Sequence, residues 1–240
     1  MQIELILEQF HDFCRQNGDE AVIKKYSHYF VEGYDAYGIS GTAMEEIHKT
    51  LRVKYRDSLG FEGFLNLGDR LVRTGKYEDA SLALMFAADF TKQYQPAHFE
   101  RFGQWLDDGI CNWAHADNMA GGIFPVFLKN GIVPYTAFSS WRAAPSKWKR
   151  RVIPVSLIKP LKTCPDIMEW LEFLAPMMLM PEKVVHQGLG WFLREAWKLY
   201  PVPVEAFLLK WKETAPRLIF QYATEKMDTD HKARFKKIKG

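Results

Sequence analysis

The sequence predicts an all-α fold, an α-solenoid of short antiparallel helix pairs forming one domain over residues 1–240. Three observations predict it. Apolar residues recur at helical spacing along nearly the whole chain. No run alternates apolar and polar residues convincingly enough to be a strand. Paired helical segments restart about every 30 to 38 residues, near positions 61, 97, 134, 165 and 203.

The elements follow in order. "IELILEQFHDFC" places apolar residues at 3, 5, 6, 10 and 13, the stripe of an amphipathic helix. "SGTAMEEIHKTL" offers Ser40 or Thr42 as cap and carries Glu in its first turn, a helix start. Further helices are predicted over 61–74, 77–94, 97–108, 112–129, 134–143, 146–160, 165–179, 182–200, 203–213 and 216–227. Each ends at Gly, Pro or a short polar turn. Gly121 and Gly122, followed by Pro125, predict a kink or a close backbone approach in the 112–129 helix. Pro154 is expected to interrupt the 146–160 helix. The rhythm suits HEAT-like units, but it lies in spacing rather than residue identity, so an irregular helical bundle is the alternative. The tail "HKARFKKIKG", residues 231–240, has five Lys/Arg in ten residues and is expected to fray.

Composition narrows the class. With 240 residues and 48% apolar content, the chain can bury a full core. Its start, "MQIELILEQFHDF", carries acids and no basic n-region, so no signal peptide is expected. No apolar run approaches the ~18 residues of a membrane span. Cys14, Cys111 and Cys164 are odd in number and far apart. This suits reduced thiols and a cytoplasmic location. The seven histidines form no i,i+4 metal pair, so no metal is expected. "AGGIF" lacks the context of a phosphate-binding loop, and no cofactor is expected.

The charge is uneven. Residues 1–117 hold 12 Lys/Arg and 19 Asp/Glu, a net of −7; residues 118–240 hold 20 and 10, a net of +10. Between Asn118 and Pro165 there is no acid, while Lys129, Arg142, Lys147, Lys149, Arg150, Arg151, Lys159 and Lys162 fall there. A one-sided basic field favours a polyanion such as nucleic acid; a solvated face is the alternative.

Three helices each pair an indole with charge at helical spacing: Trp113 with Asp117, Trp148 with Arg151, and Trp191 with Arg194 and Glu195. Indoles offer flat area for a sugar or base and a π-face for a cation. Arginines grip phosphates with a planar fork. The carboxylate of Asp117 is the odd member, since it repels phosphates unless it meets positive charge. Each Trp could instead be core, Arg194 and Glu195 an internal ion pair, and Asp117 a first-turn helix charge.

At these residues the sequence resembles the AlkD-like family of DNA alkylation repair glycosylases. The resemblance rests on Trp113 with Asp117, Trp148 with Arg151, and "GWFLRE" at 190–195. It is clearest from about 105 to 200. It implies a HEAT-like solenoid with a basic concave groove for duplex DNA; a monomer is expected. It implies excision of cationic N3- or N7-alkylated purines. By this resemblance Asp117 matches the catalytic carboxylate. Trp113 and Trp191, with Tyr26 more loosely, match aromatics flanking the lesion. Arg151 matches a DNA-contacting arginine. Arg150, Lys147, Lys149, Trp148 and Arg194 are expected to join Arg151 on DNA. The resemblance also implies that the family can work without a dedicated base pocket. Ala114 stands where the family often has Asp, and Pro154 follows Arg151 in its helix. The rival reading is a non-catalytic HEAT scaffold for nucleic acid or protein, which needs the basic residues but not Asp117.

Overall fold

The computed structural model describes residues 2–236. Every regular element among them is helical, and none is a strand. The chain divides into two compact units, Met1–Asn118 and Met119–Gly240.

In the first unit, α1 (Gln2–Asn17) buries Ile6, Leu7, Phe10 and Cys14; of the predicted stripe only Ile6 and Phe10 are buried, Ile3 and Phe13 are half-buried and Leu5 is exposed. A short helix, α2 (Glu20–Ser27), begins where the Asp19 carboxylate accepts a hydrogen bond from Ala21 N at 2.8 Å. No residue of α2 is buried, so apolar periodicity could not reveal it. Helix α3 (Gly41–Val72) is capped by Ser40, whose hydroxyl accepts from Ala43 N at 3.2 Å. Its backbone breaks at Gly60, with φ 61° and ψ −178°, and this matches the predicted new start at 61. Only glycine adopts that conformation cheaply.

Helix α4 (Tyr77–Asp89) packs along α3, with the rings of Phe64 and Phe86 at 4.5 Å. Helix α5 (Pro96–Asp108) starts with a reciprocal cap between Gln95 and His98 and with Pro96 in its first turn. The loop before α3 is held by Glu78 of α4. Its carboxylate accepts from the backbone N–H groups of Tyr37, Gly38 and Ile39 at 2.8, 2.8 and 3.1 Å. Helix α6 (Trp113–Asn118) closes the unit.

The second unit opens with a π-helical turn, Met119–Ile123, followed by α7 (Phe124–Lys129) with Pro125 in its first turn. The kink predicted from the glycines and proline is thus a single π-helical turn, a rare form found mostly as one-turn bulges inside α-helices. The predicted 134–143 helix is a 3-10 helix, Tyr135–Ala143. Within it the Ser139 hydroxyl donates to Thr136 O at 2.6 Å, a local bond that competes with α geometry. Helix α8 (Lys147–Ser156) runs two residues past Pro154, so the proline does not end it. Helix α9 (Ile167–Leu174) passes into a 3-10 turn at Ala175–Leu179.

Helix α10 (Lys183–Trp197) packs on both α8 and α12 (Arg217–Ala223), with α11 (Pro201–Trp211) preceding α12. Its "GLG" step explains the closeness. A Cβ on Gly188 lies 3.3 Å from Arg151 O, and one on Gly190 lies 2.4 Å from Tyr222 Cβ. Helix α13 (Thr229–Arg234) is capped by Asp228 and takes up the start of the basic tail. Residues 237–240 of that tail lie outside the described residues.

Candidate active site

The first unit carries Asp117, Trp113 and Tyr26. Asn112 begins α6: its side-chain oxygen accepts from His115 N at 2.9 Å, as an N-cap does. Asn112 Nδ2 also lies 2.9 Å from His115 Nδ1. That amide is a donor, so Nδ1 accepts, and the ring proton sits on Nε2. Nε2 then donates to Ser81 Oγ at 2.9 Å, and Ser81 donates on to Tyr77 O at 2.9 Å. Tyr77 stacks on the His115 ring at 4.4 Å. His115 is 4% exposed, and burial pulls its pKa down to about 4. It is therefore a neutral anchor between α6 and α4.

With His115 turned into α4, Trp113 and Asp117 share the other side of α6, four residues apart. Asp117 is half-buried, and Trp113 is 43% exposed. The Trp113 indole N–H donates to Tyr29 O at 3.1 Å, and its ring stacks on Phe30 at 5.8 Å and 16°. Phe30 stacks in turn on Tyr34 at 4.7 Å and 8°. Tyr26 is exposed and lines the same cavity as Trp113. The first unit thus brings together two of the predicted site aromatics and adds four that sequence reasoning missed: Tyr29, Phe30, Tyr34 and Tyr77. The signal was present in "YSHYFVEGYDAYG", where five aromatic residues fall within Tyr26–Tyr37. Burial, and then the charge of Glu78, raises the phenol pKa values of Tyr34 and Tyr77, so both rings stay neutral.

The second unit carries the remaining predicted residues, and most are engaged within it. Arg151 is 7% exposed, and its Nη1 donates to Val184 O at 2.7 Å. The exposed phosphate-gripping arginine expected from sequence is here a buried guanidinium tying α8 to α10. Trp148 is 7% exposed. Lys149 is 8% exposed, with its ammonium over Trp141 at 5.0 Å. Lys147 lies over Trp148 at 5.3 Å. Arg150 pairs with Glu182. Arg194 pairs with Glu195 at 3.0 Å and with Glu225, the internal ion pair that was the alternative at that position. Trp191 is half-exposed on α10. Of the acid-free stretch, Lys129, Lys159 and Lys162 are exposed. Among the described residues no cluster of His, Cys, Asp or Glu could hold a metal ion. No helix among them is long and apolar enough to cross a membrane.

Comparison with known proteins agrees with this architecture. A solved structure described as a predicted DNA alkylation repair enzyme from Enterococcus faecalis superposes with a TM-score of 0.74. It is 14% identical, and the match covers 89% of this chain and 98% of that one. At that identity the likeness speaks for the fold. No curated protein matches. The family model for DNA alkylation repair enzymes matches residues 14–227. The chain, all-α and matched over most of its length, belongs to the DNA alkylation repair enzyme family.

Proposed function

We propose that the protein is a DNA glycosylase that removes cationic N3- or N7-alkylated purines from duplex DNA by hydrolysing the N-glycosidic bond. The observation that carries this reading is the pairing of the half-buried Asp117 carboxylate with the exposed Trp113 indole on one side of α6. Family membership supports a role in DNA repair.

The chemistry follows from the substrate. An alkylated purine of this type already bears positive charge and leaves without protonation, so no general acid is required. As the bond breaks, the deoxyribose gains oxocarbenium character. Asp117 stabilises that charge and orients the attacking water. The Trp113 face packs on the sugar and favours cationic character beside it. Phosphates meet the exposed lysines of the second unit, Lys129, Lys159 and Lys162. This reading includes a monomer that works in the cytoplasm without a cofactor.

The test is base release from duplex DNA containing 7-methylguanine, with unmethylated duplex as control. Release of the methylated base alone supports the reading. DNA binding without any release favours the non-catalytic scaffold.

A further inference from the structure

A buried carboxylate needs partners. Glu78, 2% exposed in the first turn of α4, finds them in the loop 28–39. Its Oε2 accepts from Tyr37 N at 2.8 Å, and its Oε1 accepts from Gly38 N and Ile39 N at 2.8 and 3.1 Å. Gly38 has φ 82°, a conformation that glycine adopts at little cost and that helps successive N–H groups converge on one anion. The preceding residue acts on the same stretch, since Tyr77 N donates to Asp35 O at 2.8 Å. The first turn of α4 thus clamps the far end of the loop.

The near end of the loop meets α6. Tyr29 O accepts the Trp113 indole N–H, and Phe30 stacks on the indole ring. Phe30 stacks in turn on Tyr34, three residues before Tyr37. This aromatic wall links the backbone that Glu78 holds to the indole. An indole 43% exposed keeps rotamer freedom unless contacts restrict it, and the loop supplies such contacts.

We propose that Glu78 is a positioning residue for base excision: it fixes the loop that holds the Trp113 indole on the side of α6 that carries Asp117. The inference rests on the excision reading of Asp117 and Trp113, and adds a buried group that touches neither DNA nor the reacting atoms. Its loss misplaces the indole, which costs rate more than it costs binding.

The experiment uses the full chain and the variants Glu78→Gln, Phe30→Leu and Trp113→Ala. In Glu78→Gln one carboxylate oxygen becomes an amide donor that faces a backbone N–H. Single-turnover release of 7-methylguanine from duplex DNA should slow about ten- to a hundred-fold, the cost of a misplacement on the order of 1 Å. Affinity for undamaged duplex should stay unchanged. In the Trp113→Ala background, Glu78→Gln should slow release no further, because the two residues act through one path. The indole N–H resonance of Trp113, assigned by its absence from Trp113→Ala, should shift or broaden in Glu78→Gln. That of Trp105, bonded to Asp69 within the same unit, should not move. Full-rate release by Glu78→Gln, additive losses in the double variant, or an unmoved Trp113 resonance would overturn the proposal. If Glu78→Gln loses the Trp105 resonance and so fails to fold, Phe30→Leu decides. Phe30 is half-buried, and its replacement removes the stacking partner alone. Phe30→Leu should slow release and move the Trp113 resonance, and wild-type behaviour would overturn the proposal. If wild type releases no base, the excision reading falls, and the Trp113 resonance alone decides whether Glu78 positions the indole.

Discussion

His115 fixes the candidate site at the scale of a single residue. Its ring is neutral, buried and bonded through both nitrogens, to Asn112 and Ser81. Protonation would put a charge into that enclosure and turn the acceptor Nδ1 into a donor facing another donor. The folded pKa is lowered to about 4 from 6.5, so the unfolded chain binds the proton more readily between those values. The stability contributed by neutral His115 is therefore complete above about pH 6.5 and is lost as pH falls towards 4. The full loss is on the order of 3 kcal/mol. Asp79 works in the opposite sense, because burial raises its carboxyl. The wild-type-minus-variant difference isolates the histidine. Denaturant melts of wild type and His115→Gln between pH 4 and 7 should converge as pH falls. Parallel curves would show that His115 is not the buried neutral anchor described here.

At the scale of elements, α10 is the spine of the second unit, and its glycines set how closely α8 and α12 approach. A methyl on Gly190 falls 2.4 Å from Tyr222 Cβ and 2.7 Å from Ile219 O. Neither neighbour is the loose end of a long side chain. Gly190→Ala should therefore cost about 1–3 kcal/mol from overpacking, less up to ~1 kcal/mol recovered from helix propensity. A lower thermal midpoint with unchanged helical content is the expected result; an unchanged or higher midpoint would contradict the packing. The same element shows what sequence can tell. Its amphipathic stripe was legible because α10 buries Val185, Leu189, Phe192 and Leu193 on a helical period. The direction of Arg151 was not legible. Its spacing from Trp148 shows that the two share a helix side, but only the approach of α10 shows that this side faces inward to Val184 O. Helix α2 escaped because it buries nothing. The aromatic wall escaped because Tyr29, Phe30 and Tyr34 lie in an irregular loop, held by hydrogen bonds to Glu78 that no periodicity encodes. Asp117 and Trp113 were legible because both lie on one short regular helix.

For the molecule as a whole, charge sets the expected response to salt. The basic excess after residue 118 is real in the sequence, yet Arg150 and Arg194 are committed to carboxylates. If Lys129, Lys159 and Lys162 each neutralise a phosphate, log affinity for duplex DNA should fall with log salt at a slope near −2.7. Titrations at several salt concentrations check this, and binding indifferent to ionic strength would remove DNA from the account. The central claim is that Asp117 meets a positive charge appearing only during reaction. Asn is nearly isosteric, so Asp117→Asn removes the charge while keeping shape and hydrogen-bonding capacity. The most direct measurement is single-turnover release of 7-methylguanine from duplex DNA, at saturating enzyme, by wild type and Asp117→Asn. The account predicts release slowed by about ten- to a thousand-fold, roughly 1.4–4 kcal/mol, with binding to undamaged DNA level or improved. Equal release rates would contradict it, leaving Asp117 a helix-surface charge worth at most ~1 kcal/mol of stability.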